Sequence, residues 1–309
     1  MAIVCLEGPI CWLVMACAAM AGGWVPQLLG LGSAPWRYRL ILGAALGVGL
    51  LSLATLALGA AEMLDRLIIL SLVLLLAVAG LIRLVLDLRE FCARSPKPEV
   101  ILAGYHWFWL LAAPFLALIL AANTLPPGVL WVEEAGGYDV LEYHLAVPKT
   151  FYEQGRITFL PNNVYSNFPL NAQMLFLLMM VLRGDAIEGA FMAQFANAAL
   201  TVLWVAAAWL AGREFSPRSG VLAGVLAAVS PWIAYLAGIA YAEPGMLALG
   251  MASLAAMLRA VRTAEQPGRW ALLAGLLAGL SCGFKYTAIP LVALSLAIFP
   301  LFLQIDRPR

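Results

Sequence analysis

Charge is what this chain has least of. Its 309 residues include 18 Lys and Arg, 17 Asp and Glu and two His, so charged residues make up 11% against 64% hydrophobic ones. At a mean hydropathy of +0.93 that balance excludes a soluble globular domain, because too few polar side chains exist to cover its surface. A formal net charge of +1, with no basic patch, leaves nucleic-acid binding without an electrostatic footing. Cysteine is sparse too: Cys5, Cys11, Cys17 and Cys282 lie in or beside hydrophobic segments, and Cys92 lies in a short basic loop. None falls between residues 123 and 170, so neither a disulfide framework nor a cysteine-based metal cluster is suggested there. A basic start is missing ahead of Val14-Met15-Ala16-Cys17, so this stretch reads as membrane helix and not as a removable signal.

Long apolar runs are what the chain does have. Windows of about 20 apolar residues recur, each able to cross a hydrocarbon core of ~30 Å. The expected fold is all-α: a polytopic transmembrane bundle of about nine spans, with a long external loop carrying amphipathic interfacial helices. The spans fall near residues 9–31, 40–60, a third ending near Leu86, then 101–122, 187–211, 219–238, 244–258, 269–284 and 287–303. Several are rich in small residues that favour close helix contact, Gly275 and Gly279 among them as a GxxxG pair. Tyr105, His106, Trp107 and Trp109 open the fourth span and suit the headgroup belt, with His106 an interfacial residue. The apolar stretch 171–182 is too short to span, so it is expected to lie in or dip into the interface.

Basic residues orient the bundle. With residues 123–170 outside, Arg37, Arg39, Arg83, Arg89, Arg94, Lys97, Arg213, Arg218, Arg259, Arg262, Arg269, Arg307 and Arg309 fall at inner ends. Only Arg66, Lys149, Arg156, Arg183 and Lys285 fall outside. Letting 171–182 span would move the Arg213–Arg269 group outside and spoil that asymmetry. The amino terminus is therefore expected outside and the carboxyl terminus inside.

One polar-aromatic stretch interrupts this background, and its centre is Gly137-Tyr138-Asp139-Val140-Leu141-Glu142-Tyr143-His144-Leu145-Ala146-Val147-Pro148-Lys149. On a helix, Asp139, Glu142 and Tyr143 share one face, with His144 on its flank. A carboxylate held there could act as a base toward a substrate half in lipid and half in water. The plainer alternative is a surface helix whose charges are merely solvated. Glu243, in Tyr241-Ala242-Glu243-Pro244-Gly245, is expected to cap a helix that starts at Pro244, at that helix's positive end. Lys285, in Gly283-Phe284-Lys285-Tyr286-Thr287, marks another outer turn. Either could be only a cap or a snorkelling lysine. The convergence of Asp, Glu and Lys from three outer turns at similar depth favours a site.

These stretches resemble the GT-C superfamily of integral-membrane glycosyltransferases (glycosyltransferase family 39). The likeness is to the branch holding the aminoarabinose transferases and the RgtA/B/C/D-like enzymes, and more distantly to the protein O-mannosyltransferases. Tyr138-Asp139 through Tyr143-His144-Leu145-Ala146-Val147-Pro148 resembles the acidic motif of the first external loop, and Tyr165-Ser166-Asn167-Phe168-Pro169-Leu170 its end. Tyr241-Ala242-Glu243-Pro244 resembles the second acidic turn, and Gly279-Leu280-Ser281-Cys282-Gly283-Phe284-Lys285-Tyr286-Thr287 the Gly-rich helix end with its lysine. The likeness covers about residues 101–303, making 1–100 extra amino-terminal helices and 101–309 the core, with an external loop at 123–186.

The resemblance implies transfer of a sugar from a polyprenyl-phosphate donor to a hydroxyl of a lipid, glycan or protein acceptor, with inversion, on the external face of a bacterial inner membrane. It implies Asp139 as catalytic base and Glu243 as a second carboxylate, supporting the site or a metal. Lys285 would face the donor phosphate, with Glu142, Tyr143, His144, Arg156 and Tyr286 binding substrate. His144 is also a runner-up base, a donor-orienting residue or a structural histidine. Negative charge grows on the leaving phosphate, so a fixed cation there stabilises the transition state. Lys285, Arg156 or a divalent metal ion could supply it.

This chain departs from the family pattern in three ways: a single Asp139 without an adjacent acid (Glu133-Glu134 stand earlier), Glu243 in place of Asp, and an end at Arg309 where relatives usually continue. A carboxyl-terminally truncated or split enzyme is therefore expected. The rival readings are a transporter or lipid flippase, and a non-catalytic GT-C-like scaffold. A transporter needs ionisable groups along a path through the bilayer, whereas the spans here are apolar, with Arg83 near an inner end.

Overall fold

The computed structural model describes residues 2–94, 104–127, 137–263 and 265–305, and every regular element among them is helical. Lys97, Glu133, Glu134, Arg307 and Arg309 lie outside the described residues. The long helices are α1 (Ala2–Gly22), α3 (Trp36–Ala60), α4 (Arg66–Arg94), α8 (Ala186–Arg213) and α11 (Glu243–Arg262), with a short α2 (Trp24–Leu28) after α1. A 3₁₀ segment (Gly104–Ala112) runs into α5 (Ala113–Asn123), and α6 (Ala146–Gln154) and α7 (Asn171–Arg183) follow the polar stretch. Then come α9 (Pro217–Ala228), α10 (Pro231–Ala237), α12 (Pro267–Cys282) and α13 (Ser295–Ile305). Cys92 sits on α4, which runs well past the expected end near Leu86.

Among the described residues six stretches are long and apolar enough to cross a membrane, and α9 with α10, bent by 61° at their break, would make a seventh. About nine were expected. The difference lies at the carboxyl end: α12 has 16 residues, about 24 Å at 1.5 Å per residue, and Ile289–Pro300 is shorter still. The amino-terminal helices are not peripheral. One contiguous core runs from Cys11 and Leu46 through Phe176 and Leu249 to Ala288.

Contacts between helix ends sort the bundle into two faces. On one, Arg39 pairs with Asp87 (3.0 Å) and Glu90 (2.7 Å), Tyr38 hydrogen-bonds Glu214, and Arg269 donates to the Gly30 carbonyl (3.1 Å). On the other, Arg183 pairs with Glu7 (2.7 Å), Arg156 with Glu62 (2.9 Å), and the Ile157 amide donates to Gly59 (3.0 Å). Both ends of α7 belong to this second face: the Asn171 amide donates to Gly283 (3.0 Å) and Arg183 reaches Glu7. Helix α7 therefore does not cross. Its residues from Asn171 through Leu182 are all buried. Sides apolar all round are covered by protein, here by α3, α6 and α8. Gly184, at φ +75°, ends α7 in the left-handed conformation that favours glycine. Asp185 then caps α8 by accepting from the amides of Ile187 and Glu188, both at 2.8 Å.

The close helix contact lies elsewhere than expected. Gly275 and Gly279 face open space. Instead, a Cβ on Gly22 would collide with the Gly43 carbonyl, and one on Gly47 with the Ala18 carbonyl, so α1 and α3 meet backbone to backbone. Gly47→Leu is expected to destabilise the bundle by roughly 1–3 kcal/mol, the range for overpacking, and Gly279→Leu to be nearly silent. Thermal unfolding in detergent compares them, and equal melting temperatures would remove the α1–α3 contact from the account.

Candidate functional site

The site starts from a helix that widens. From Gly137 the chain enters a helical turn that opens into a π-turn over Val140–His144, closed by the Leu145 amide on the Val140 carbonyl (2.8 Å). A wide turn brings successive side chains together, and the Tyr143 and His144 rings lie 4.2 Å apart, both buried. Asp139 and Tyr143 meet as an i, i+4 pair, with the Tyr143 hydroxyl donating to Asp139 Oδ2 at 3.4 Å. Glu142 parts from them, its carboxylate partnering the exposed Tyr138 hydroxyl and its carbonyl accepting from Asn163 (3.0 Å). His144, expected on the flank, is the most deeply buried polar side chain of the motif, at 1% exposure.

The second wall is the irregular segment between α10 and α11. Backbone carbonyls freed at bundle depth need partners. Asn197 donates to Leu236 (2.8 Å) and Ile239 (2.5 Å), and Asn123 donates to Ala237 (3.2 Å). These buried amides, about 1 kcal/mol each, hold the segment that carries Tyr241 and Glu243. The Tyr241 hydroxyl bonds Asp139, and its ring lies 4.8 Å from that of His144. Glu243 proves to be the first helical residue of α11, with Ala242 in the cap position and no side-chain cap bond. Its carboxylate instead binds Lys285, which the turn after α12 presents, while Glu243 Oε2 stays buried without a partner. Both charges are partly buried, at 32% exposure for Lys285 and 21% for Glu243.

The third wall closes the loop. Tyr165 stacks on Tyr143 (5.0 Å), Phe168 meets both edge-on, and Tyr286 meets Phe168 (5.7 Å) while donating to the Asn167 carbonyl (3.1 Å). Between these walls lies a cavity of about 160 Å³, lined by Tyr143, His144, Phe168, Gln173, Lys285 and Tyr286 with neighbouring apolar residues. Asp139, Tyr143, His144, Glu243, Lys285 and Tyr286 are thus brought together. Arg156 points to another partner, Glu62, and none of its described contacts is with this cluster.

Burial, then the negative charges of Asp139 and Glu243, push the Tyr143 and Tyr241 hydroxyls well above the ordinary tyrosine range. They stay protonated and donate to Asp139. Burial, and secondarily the charge of Lys285, push the His144 imidazole down to about 3. A histidine so reluctant to protonate is a poor base but a good neutral hydrogen-bonding group. Among the described residues no group of three or more His, Cys, Asp or Glu is placed to hold a metal ion.

Tyr241 and Gln173 are site residues that sequence reasoning missed. Gln173 is the lone strongly polar side chain between Ala172 and Leu182, in an otherwise apolar run, and that solitude is the signal that could have found it. Fold and site together define a polytopic all-helical membrane protein with an aromatic-walled cavity, to whose lining His144, Gln173 and Lys285 contribute, at one end of its bundle. Residues 168–308 match the family model described as dolichyl-phosphate-mannose-protein mannosyltransferase. The match supports the GT-C superfamily and a membrane glycosyltransferase of that type. It takes in Glu243, Lys285 and Tyr286, covers a little under half of the chain, and begins after Asp139 and His144. No curated protein and no solved structure matches the chain.

Proposed function

We propose that this protein transfers a sugar from a polyprenyl-phosphate donor to an acceptor hydroxyl of a lipid, glycan or protein, with inversion. One observation carries the reading: Asp139, held by two phenols, stands on the same aromatic-walled cluster as the Glu243–Lys285 pair. The acceptor oxygen attacks the anomeric carbon, its proton passes to Asp139, and the carbon–oxygen bond to phosphate breaks, with its electron pair leaving on the phosphate. Lys285 faces the charge that grows there. Glu243 holds the lysine in place from the positive end of α11. The apolar carrier chain stays among the spans, and the reactive headgroup meets the cavity at the membrane surface.

This face is taken as the outer one, the periplasmic side of an inner membrane, a reading the basic-residue asymmetry supports. Single cysteines at Asn162 and Phe215, both exposed, in a background without native cysteines, test that orientation. An impermeant thiol reagent is expected to label Asn162 from outside and Phe215 only after permeabilisation. Labelling of both from outside overturns the topology. For the activity, proteoliposomes given a panel of labelled polyprenyl-phosphate sugars and hydroxyl acceptors are expected to release free polyprenyl phosphate. No release from any donor overturns the glycosyltransferase reading.

A further inference from the structure

Two residues that line the cavity each carry a buried polar atom without a partner. The Gln173 amide nitrogen donates to His144 Nδ1 at 2.5 Å, so the neutral imidazole carries its proton on Nε2. That Nε2 is buried without a partner, and so is Gln173 Oε1. The two residues therefore offer one orphan donor and one orphan acceptor, and both line the same cavity of about 160 Å³. Leaving such groups unmet is costly. A phosphate oxygen accepts only, so it would satisfy the imidazole and leave the amide oxygen unmet. A hydroxyl both donates and accepts, so its chemistry matches one orphan donor and one orphan acceptor. The remaining walls fit the same class of ligand: the rings of Tyr143, Phe168 and Tyr286 suit the C–H faces of a sugar ring, with hydroxyls left at its edge.

We infer that His144 and Gln173 are a specificity pair that reads one hydroxyl of the transferred sugar; this rests on the glycosyltransferase reading above. His144 suits the task because burial keeps it neutral, so it neither attracts a phosphate as a cation would nor takes the acceptor's proton. Lys285 remains for the phosphate, and the two recognition tasks fall on different side chains of one cavity.

The test uses the full chain in proteoliposomes, the best polyprenyl-phosphate sugar from the panel, and its analogues deoxygenated one ring position at a time. Wild type is expected to lose roughly tenfold to a hundredfold in kcat/KM at one position and little at the others, the range for leaving buried polar groups unpaired. Gln173→Met is expected to lose a similar factor on the parent sugar and almost nothing further on that one analogue. A loss spread evenly over all analogues, or no loss at any position, overturns the inference and leaves the glycosyltransferase reading standing. No turnover of any parent sugar overturns both. The wild-type comparison between analogues needs no variant to fold, so instability of Gln173→Met does not rescue the inference.

Discussion

Asp139→Asn is expected to lower turnover of a polyprenyl-phosphate sugar by roughly 10² or more, at the low end of what general-base catalysis contributes. The amide keeps the shape of the carboxylate, so donor affinity and membrane insertion are expected to change little. The two phenols that donate to Asp139 retain one oxygen to bind. Glu142→Gln, which removes a charge three residues on, is the control, because Glu142 partners the exposed Tyr138 and not this cluster. Turnover by Asp139→Asn close to wild type would dismiss Asp139 as the base. The pH profile then separates the remaining candidate. With the His144 imidazole pushed down to about 3, it is neutral on both sides of pH 6.5, and no histidine inflection from it is expected between pH 5 and 8. An inflection there that His144→Gln abolishes would move the base to His144.

The parts of this fold and site that can be read in the sequence are those that break an apolar background. Asp139, Glu243 and Lys285 are charges at turns between apolar runs, where a charge needs a reason, and the structure gathers all three. The 171–182 helix is legible as non-spanning, because its length falls short and the arginines after it demand the opposite side. Its burial is not legible, since an apolar helix looks alike whether lipid or protein covers it. Neither is the helix contact: Gly43 and Gly47 have the same spacing as Gly275 and Gly279, and only the path of α1 decides which pair meets a backbone. Neutral polar residues carry the faintest signal. Asn123, Asn197 and Gln173 look like any amide in a membrane helix until the irregular segments they serve are in view. The inward place of His144 depends on a π-turn, which a reading at 3.6 residues per turn does not anticipate.

The Glu243–Lys285 pair invites the second large effect. Lys285→Met is expected to cut kcat by roughly 10²–10³, as removal of one preorganised group facing developing charge does, with a smaller change in KM because the charge grows after the ground state. Glu243→Gln is expected to cost less, since the lysine keeps its charge but loses its tether. The double variant decides between function and architecture. A pair that only braces the turns leaves one partly buried charge unmatched in either single variant, and neutralising both relieves it. Stability and turnover would then recover together in Glu243→Gln/Lys285→Met. If Lys285 instead answers the leaving phosphate, the double variant recovers stability but stays as slow as Lys285→Met alone. The free-energy coupling in the cycle would then differ between the two readouts. Recovery of turnover in the double variant would strip Lys285 of its catalytic part and leave it a structural partner of α11.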